Sequence, residues 1–347
     1  MKAKLYHQIA VLALFLFLSV QPSPAFAQGS LAPPGPPAPT MKSLAQIEPR
    51  TAITNSGAVT ISASGSYYLT TNISVSSGDA ITISTNNVTL DLNGFTIFST
   101  QPVATTNSAI LLKGGRTNIA ICNGHISSGV TDNGGTYSGS GFGNGIFYST
   151  TVPNNVRVTG LSVSGCLNNG INIDFNSTVV EFCNVTTAGG YGIYARTISD
   201  STAVDGGSGG MAGYSVNNCY GQSGGGFGID AGSANNCMGN STTGVGLGSS
   251  IANNCYATSS SNYGMDATVA NNCFGSSSSG TGLTAVTANN CYALSSSSTA
   301  LSATIATACY ANSSTGTGLN TTIANGCIAT SLVSTYHYNM PPSPQTP

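Results

Sequence analysis

Charged side chains are scarce in this sequence. They make up 5% of the 347 residues, whereas about 25% is usual in a globular domain, and only eight residues are Lys or Arg. A chain with so few cations offers little to the phosphates of nucleic acids, so we expect no nucleic-acid partner. Beyond the N-terminal segment no apolar run has the length of a membrane-spanning helix, and we expect no transmembrane segment in the mature chain.

Motifs for metal binding are also missing from the sequence. Ten cysteines are present, but none stands in a CxxC pair and no histidine clusters with them. We therefore expect neither a metal site nor a cofactor.

Seven of the cysteines recur every 18 residues: Cys219, Cys237, Cys255, Cys273, Cys291, Cys309 and Cys327. If each one stacks on the next, neighbouring positions lie about 4.8 Å apart with parallel Cβ directions, which strains a disulfide. The pattern favours a column of free, buried thiols that act as small apolar side chains. Disulfides between neighbouring coils are the alternative.

A second column has the same period and consists of apolar residues: Ile193, Met211, Ile229, Leu247, Met265, Leu283, Leu301 and Leu319. A short fixed period indicates one structural unit stacked many times, and two apolar columns in register predict a shared interior. Because the hydrophobic residues, 40% of the chain, fall in columns, we exclude disorder. Extended backwards, the column continues at wider steps through Ile171, Ile146, Ile110 and Ile81, so the early coils are expected to be larger and to carry loops.

Within one regular coil the sequence predicts short strands joined by tight turns. Residues 283–286 and 291–293 read as strands around a corner at Asn289-Asn290. Asparagine tolerates the left-handed conformation of such a corner, and stacked amides can bond to one another along the column. The prediction is an all-β, single-domain parallel β-helix of about 12 coils, with 18-residue coils in the C-terminal half.

The Gly-Ile and Asn-Cys-x-Ala patterns, together with residues 87–97 (NVTLDLNGFTI), resemble secreted bacterial right-handed parallel β-helix proteins of the pectate-lyase-like superfamily. The resemblance implies a right-handed solenoid over roughly residues 50–335, but it implies little about activity, since this superfamily includes lyases, hydrolases and adhesins. Pectate lyases, as the resemblance implies, cluster several Asp residues around calcium beside a basic residue. This sequence departs from that pattern, because Asp230 and Asp266 share a column but lie two coils apart, too far to ligate one ion.

The chain divides into four segments. Residues 1–27 read as a secretory signal peptide, with Lys2 and Lys4 before an apolar run, and residues 28–47 as a Pro-rich linker. Residues 48–335 are predicted to form the β-helix with an N-terminal cap, and residues 336–347 a C-terminal tail. This organisation predicts a secreted, periplasmic or cell-surface protein and leaves the oligomeric state open.

Charged residues on the early coils are the candidates for catalysis. Lys113, Asp174 and Arg196 each stand three places after a column residue, so Asp174 and Arg196 are expected to be vertical neighbours about 5 Å apart. Arg196 or Lys113 would handle a sugar carboxylate or a proton, and Asp174 would bind a cation or act as an acid. The alternative is a surface ion pair without a catalytic role. Because no Lys or Arg follows Arg196, any catalytic site is expected before about residue 200.

The residue after each repeated cysteine is mostly aromatic, and strand alternation turns this column outwards. Exposed aromatic rings bind sugar rings, but they also stabilise one another along a sheet. The candidate binding residues are Tyr220, Tyr256, Phe274, Tyr292 and Tyr310, with Met238 and Ile328 interrupting the column.

These patterns predict an exported, rigid β-helix that acts as an extracellular or cell-surface structural and binding module, with a polysaccharide as its partner. The alternative is a polysaccharide lyase or glycoside hydrolase whose site lies on the early coils.

Overall fold

The computed structural model describes residues 48–338 and contains 32 β-strands and no helix within that range. The predicted signal peptide, the linker and residues 339–347 lie outside the described residues. None of the described residues forms a helix of the length and apolarity that crossing a bilayer requires.

The early coils contain twelve strands: β1 Thr51–Ile53, β2 Val59–Ile61, β3 Gly65–Leu69, β4 Ile73–Val75, β5 Ile81–Ile83, β6 Val88–Asp91, β7 Thr96–Ser99, β8 Ser108–Lys113, β9 Thr117–Ser127, β10 Gly129–Asp132, β11 Tyr137–Ser140 and β12 Asn144–Ser149. The middle of the chain contains β13 Asn154–Cys166, β14 Ile171–Glu181, β15 Asn184–Ala188, β16 Tyr191–Ser199, β17 Thr202–Gly206, β18 Gly209–Asn217, β19 Tyr220–Ser223, β20 Phe227–Asn235 and β21 Met238–Ser241. The regular coils contain β22 Leu247–Asn253, β23 Tyr256–Ser259, β24 Met265–Asn271, β25 Phe274–Ser277, β26 Leu283–Asn289, β27 Tyr292–Ser295, β28 Leu301–Thr307, β29 Tyr310–Ser313, β30 Leu319–Asn325, β31 Ile328–Ala329 and β32 Leu332–Tyr338.

Thirty of these strands pair in parallel and build three faces; β10 and β11 form a separate antiparallel hairpin. The first face is the ladder through Val59, Ile81, Ile110, Ile146, Ile171, Ile193, Met211, Ile229, Leu247, Met265, Leu283, Leu301, Leu319 and Leu332. The second face runs through Thr51, Tyr67, Leu90, Ile121, Val158, Val180, Ile198, Val216, Ala234, Ala252, Ala270, Ala288, Ala306, Ala324 and His337. The third face runs through Ile73, Ile97, Ile126, Val163, Val185, Ala203, Gly221, Gly239, Ala257, Gly275, Ala293, Ala311 and Ala329.

The parallel β-helix prediction is confirmed, whereas the count of about 12 coils is too low. The first face has fourteen rungs within the described residues, because Val59 and Leu332 join the ladder at its two ends. The sequence column missed both. Leu332 follows Leu319 by 13 residues rather than 18, and Val59 belongs to the segment that was expected to form only a cap.

The interior explains why the coils shorten along the chain. In the early coils the inward positions of the second and third faces hold Ile, Val and Leu, whereas in the regular coils they hold Ala and Gly. Smaller side chains permit a narrower coil at the same packing density. The first-face column stays large throughout, and its members from Ile81 to Leu319 are fully buried.

The cysteine column is buried, and its thiols are free, as predicted. From Cys237 to Cys327 each Sγ lies 3.3–3.4 Å from the carbonyl oxygen 21 residues earlier, one coil below. Hydrogen bonding to the preceding thiol, followed by burial, raises the pKa of Cys255, Cys273, Cys291 and Cys309 to about 11.

The predicted asparagine corners are also present. Asn218, Asn236, Asn254, Asn272 and Asn290 have φ values of 51–54°, in the left-handed region. Their amides bond along the column, as where Nδ2 of Asn290 donates to Oδ1 of Asn272 at 2.7 Å. Each corner thereby fixes the register of the next coil.

Candidate functional site

The aromatic column lies on the outside of the third face. Strand pairing sets Tyr220, Met238, Tyr256, Phe274, Tyr292, Tyr310 and Ile328 on consecutive rungs. Tyr256 and Tyr292 are 42% and 41% exposed, whereas the Ala and Gly residues that follow the column members point into the interior. The alternation of the strand thus presents the rings to solvent, as the sequence indicated.

Most of these rings cover one another. Tyr256, Phe274, Tyr292 and Tyr310 stack with centroid distances of 4.5, 5.5 and 4.7 Å and interplanar angles of 5–12°. In such a stack the flat faces of the inner rings are occupied by their neighbours, and only ring edges remain for a ligand. The flat face that a sugar needs is therefore restricted to rings at a break in the column.

Met238 is one such break, and Ile328 at the end of the column is another. Met238 lies between Tyr220 and Tyr256, so neither ring has an aromatic neighbour on this side. An open groove of about 550 Å³ lies here, and we call it the Met238 notch; its lining includes Asp200, Tyr220, Asn236, Met238, Asn254 and Tyr256. The two tyrosines, one rung either side of the methionine, line this open and partly apolar groove.

A ladder of polar side chains forms one side of the notch. Nδ2 of Asn218 donates to Oδ1 of Asp200 at 3.1 Å, Asn236 donates to Asn218 at 3.3 Å, and Asn254 donates to Asn236 at 3.3 Å. Each amide keeps a second N–H, and Asp200 keeps a second carboxylate oxygen, so donors and acceptors alternate along the groove.

Asp200 and its three amide neighbours were missed as ligand-binding residues by the sequence reasoning, although a signal was present. Asp200 stands 18 residues before Asn218 and has the same left-handed backbone, with φ of 49°. It therefore occupies the asparagine position of its coil and carries the one charge in that column.

Two buried thiols line the inner side of the notch. Burial raises the pKa of Cys219 to about 11. The pKa of Cys237 is lowered, because the thiol of Cys255 donates a hydrogen bond to it. Since both side chains are buried, they shape the groove without offering a reactive surface.

The charged residues predicted on the early coils are not joined by the structure. Asp174 pairs with Ala195 rather than with Arg196, because β14 has an irregular register on both sides of Asp174. The expected vertical neighbourhood is therefore wrong by one residue. Among the described residues no ion pair links Asp174 to Arg196 or to Lys113, and Lys113 pairs in register with Ser149. Their catalytic role stays a prediction.

Asp174 and Arg196 each contact other residues. Oδ2 of Asp174 accepts a hydrogen bond from Tyr148 at 2.7 Å, and burial together with this bond raises the pKa of Tyr148 to about 12. The guanidinium of Arg196 lies 5.1 Å from the ring centroid of Tyr214 and donates to the Phe175 carbonyl oxygen at 3.4 Å. The side chains of Asp174 and Arg196 thus have separate partners.

No group of three or more His, Cys, Asp or Glu side chains within residues 48–338 is arranged to hold a metal ion. Disulfides are likewise absent from this part of the chain, where all ten cysteines are free.

No protein-family model matches this chain, and no curated protein matches it. Similar solved structures include the A-module of the mannuronan C-5 epimerase AlgE6 from Azotobacter vinelandii, with 12% identity, a TM-score of 0.34 and coverage of 80% of this chain and 81% of that one. Another is the tailspike protein gp49 of the Acinetobacter baumannii bacteriophage Fri1, a capsular polysaccharide depolymerase, with 12% identity, a TM-score of 0.32 and coverage of 80% and 57%. At these values the likeness says nothing about what this chain binds, and membership in the pectate-lyase-like superfamily stays a prediction.

Proposed function

We propose that this chain is an exported, rigid β-solenoid that serves as an extracellular or cell-surface structural and binding module, and that it binds a neutral carbohydrate in the Met238 notch. The observation that carries the proposal is the break in the aromatic column. It leaves one side of Tyr220 and of Tyr256 without an aromatic neighbour, directly beside the amide ladder.

The chemistry of the notch matches that of a sugar ring. A pyranose has flat patches of C–H groups, which pack on aromatic faces, and a rim of hydroxyl groups, which need both donors and acceptors. The tyrosine rings supply the first surface, and Asp200 with Asn218, Asn236 and Asn254 supplies the second.

The charge of the surface restricts the ligand class. No Lys or Arg occurs after Arg196, and the charged side chain in the notch is Asp200. A sugar carboxylate or sulfate would meet a like charge here and no cation to pair with, so a neutral glycan is favoured over an acidic one.

The parallel ladder preorganises the site. Tyr220, Met238 and Tyr256 are fixed by backbone hydrogen bonds to neighbouring coils, including Met238 N to Cys219 O and Tyr256 N to Cys237 O, both at 2.9 Å. Binding to a site of fixed geometry avoids the entropy cost of ordering a loop.

A glycan array with the full chain tests the proposal, followed by titration of the best neutral glycan with three variants. Tyr256→Ala removes one wall, and Met238→Phe fills the break; each is expected to lower affinity at least tenfold. Tyr263→Ala, an exposed tyrosine outside the notch, is the matched control and is expected to bind as the wild type. Unchanged binding in both notch variants, or a preference for acidic glycans, would contradict the proposal.

The alternative function, a lyase or glycoside hydrolase on the early coils, depends on Asp174, Arg196 and Lys113. It requires Arg196→Ala to abolish turnover of a polysaccharide. The separate contacts of Asp174 with Tyr148 and of Arg196 with Tyr214 favour the binding function over this alternative.

A further inference from the structure

The amide ladder of the Met238 notch is interrupted after Asn254. The side chains of Asn218, Asn236 and Asn254 each donate to the side chain one coil before them. Asn290 likewise donates to Asn272 at 2.7 Å, but within residues 48–338 Asn272 donates no hydrogen bond to Asn254. In this part of the chain Oδ1 of Asn254 therefore accepts no protein hydrogen bond, and both N–H groups on Nδ2 of Asn272 are free.

The interruption is not imposed by the distance between the coils. A second asparagine ladder runs one residue earlier in each corner, and its members bond at every rung from Asn217 to Asn289 with distances of 2.8–2.9 Å. One of these bonds, from Asn271 to Asn253, joins the same two coils on which Asn254 and Asn272 stay apart. The free acceptor and the free donors thus belong to the outer ladder alone.

The free acceptor lies beside the apolar part of the notch. Asn254 lines the groove together with Met238 and Tyr256, and its own side chain is exposed. It precedes Tyr256 by two residues, so the two Cα atoms are no more than about 7 Å apart. Met238 lies one rung from Tyr256 in the aromatic column and is 41% exposed. A ligand in the notch therefore meets an amide oxygen and a thioether side chain close together.

An acetamido group matches this combination. It has one N–H donor, one carbonyl acceptor and one methyl group, and it carries no charge. The donor suits Oδ1 of Asn254, and the carbonyl suits a free N–H of Asn272 one coil further on. The methyl group needs an apolar contact, which the flexible and polarisable side chain of Met238 provides.

From this geometry we infer that the notch selects glycans whose sugars carry an acetamido group. The inference rests on the proposed function, because it names the class of sugar that the same site takes. The acetamido N–H donates to Oδ1 of Asn254, the carbonyl oxygen accepts from Nδ2 of Asn272, and the methyl group packs on Met238 between Tyr220 and Tyr256.

Two other substituents fit the notch less well. A hydroxyl group at the same position has no methyl group for Met238, and its single oxygen cannot reach both ends of the interruption. An ammonium group would pair with the carboxylate of Asp200, but it has no acceptor for the free N–H groups of Asn272. The acetamido group uses the apolar contact, the donor and the acceptor together.

Isothermal titration of the full chain with three β-1,4-linked tetrasaccharides tests the inference. Chitotetraose carries an acetamido group at carbon 2 of each sugar, cellotetraose a hydroxyl group, and the deacetylated chitotetraose an ammonium group. The acetamido group exchanges two bonds to water for two bonds to protein and buries a methyl group. Chitotetraose should therefore bind at least about tenfold more tightly than either of the other two.

Three variants locate the preference. Asn254→Gly removes the acceptor at a corner whose φ of 51° glycine adopts without strain, and Met238→Ala removes the apolar contact. Each should reduce the ratio of the affinities for chitotetraose and cellotetraose to less than about threefold. Asn290→Gly is the matched control, because Asn290 has the same φ of 51° and is followed one coil on by Ala308, but lies beside the stacked ring of Tyr292. It should keep the wild-type ratio.

Any of three results would overturn the inference: cellotetraose binds as tightly as chitotetraose, the deacetylated tetrasaccharide binds most tightly, or the ratio stays at the wild-type value in both notch variants. Circular dichroism spectra confirm that each variant is folded. The outcome is separable from that for the notch itself. Binding of cellotetraose that Tyr256→Ala weakens, without a preference for the acetamido group, would leave the proposed function standing and reject this inference, whereas a glycan array without any bound neutral glycan would reject both.

Discussion

Replacement of Leu247 by Ala tests whether the first-face column carries the stability of the fold. Leu247 is fully buried and lies in register between Ile229 and Met265 on the coils before and after it. The change removes three buried carbon atoms, worth about 2.4 kcal/mol at about 0.8 kcal/mol each. A cavity term adds to this, because the neighbouring coils are held by backbone hydrogen bonds such as Leu247 N to Gly264 O at 3.1 Å and cannot collapse inwards. We expect a total loss of about 3 to 5 kcal/mol in the free energy of unfolding.

Guanidinium denaturation followed by circular dichroism measures this loss, with Ile251→Ala as the matched control. Ile251 lies on the same strand β22 but is 44% exposed, so its truncation should cost less than about 1 kcal/mol. Because a solenoid transmits stability only between neighbouring coils, the slope of the transition is compared as well as its midpoint. Equal midpoints for Leu247→Ala and the wild type would show that this position does not fill the core, and the packing argument would fail.

Three further predictions concern a corner of the coils and the cysteine column. Ala308 occupies the asparagine position of its coil with φ of 52°, and Ala308→Asn should raise the free energy of unfolding by about 1 kcal/mol, measured in the same denaturation assay; a lower midpoint would contradict the role of this corner. In the native protein at pH 8, Ellman's reagent should react with no thiol other than the half-buried Cys122, whereas all ten should react in denaturant; rapid reaction of the column in the native state would refute its burial. Since the folded pKa of about 11 in Cys255, Cys273, Cys291 and Cys309 exceeds the ordinary 9.0, stability should be constant below pH 9 and fall from pH 9 to 11, as the unfolded chain loses these protons first.

The regular coils could be predicted from the sequence because their constant period shows directly which residues lie above one another. An 18-residue step fixes which residues stack, and alternation along a strand then fixes which face inwards, as for Leu247 and Tyr256. The early coils carry no such information. Their steps vary, and the register is irregular around Asp174, whose backbone is left-handed at φ of 58° and whose carboxylate accepts a hydrogen bond from Tyr148 on another strand.

The candidate sites could be predicted only in part, for a related reason. The sequence placed the aromatic column on the surface, but whether ring faces are covered depends on the angle between neighbouring rings, which side-chain packing sets. It placed Asp230 and Asp266 in one column, but it did not show that they lack partners while every other carboxylate has one. Whether a carboxylate has a partner depends on residues far from it in the chain, as in the ion pairs of Arg50 with Asp91 and of Arg157 with Glu181.

The Met238 notch arises where a column of the repeat is interrupted. In an ideal repeat, equivalent side chains on neighbouring coils contact one another, because rings stack on rings and amides bond to amides. An uninterrupted column therefore has no unused face for a ligand. Met238 interrupts the aromatic column and lies in the notch on the third face. Because Met238 separates Tyr220 from Tyr256, the column lacks at this point the ring stacking that joins Tyr256, Phe274, Tyr292 and Tyr310. The notch therefore gives up aromatic packing that the rest of the column has, and it leaves apolar ring surface for another group to cover.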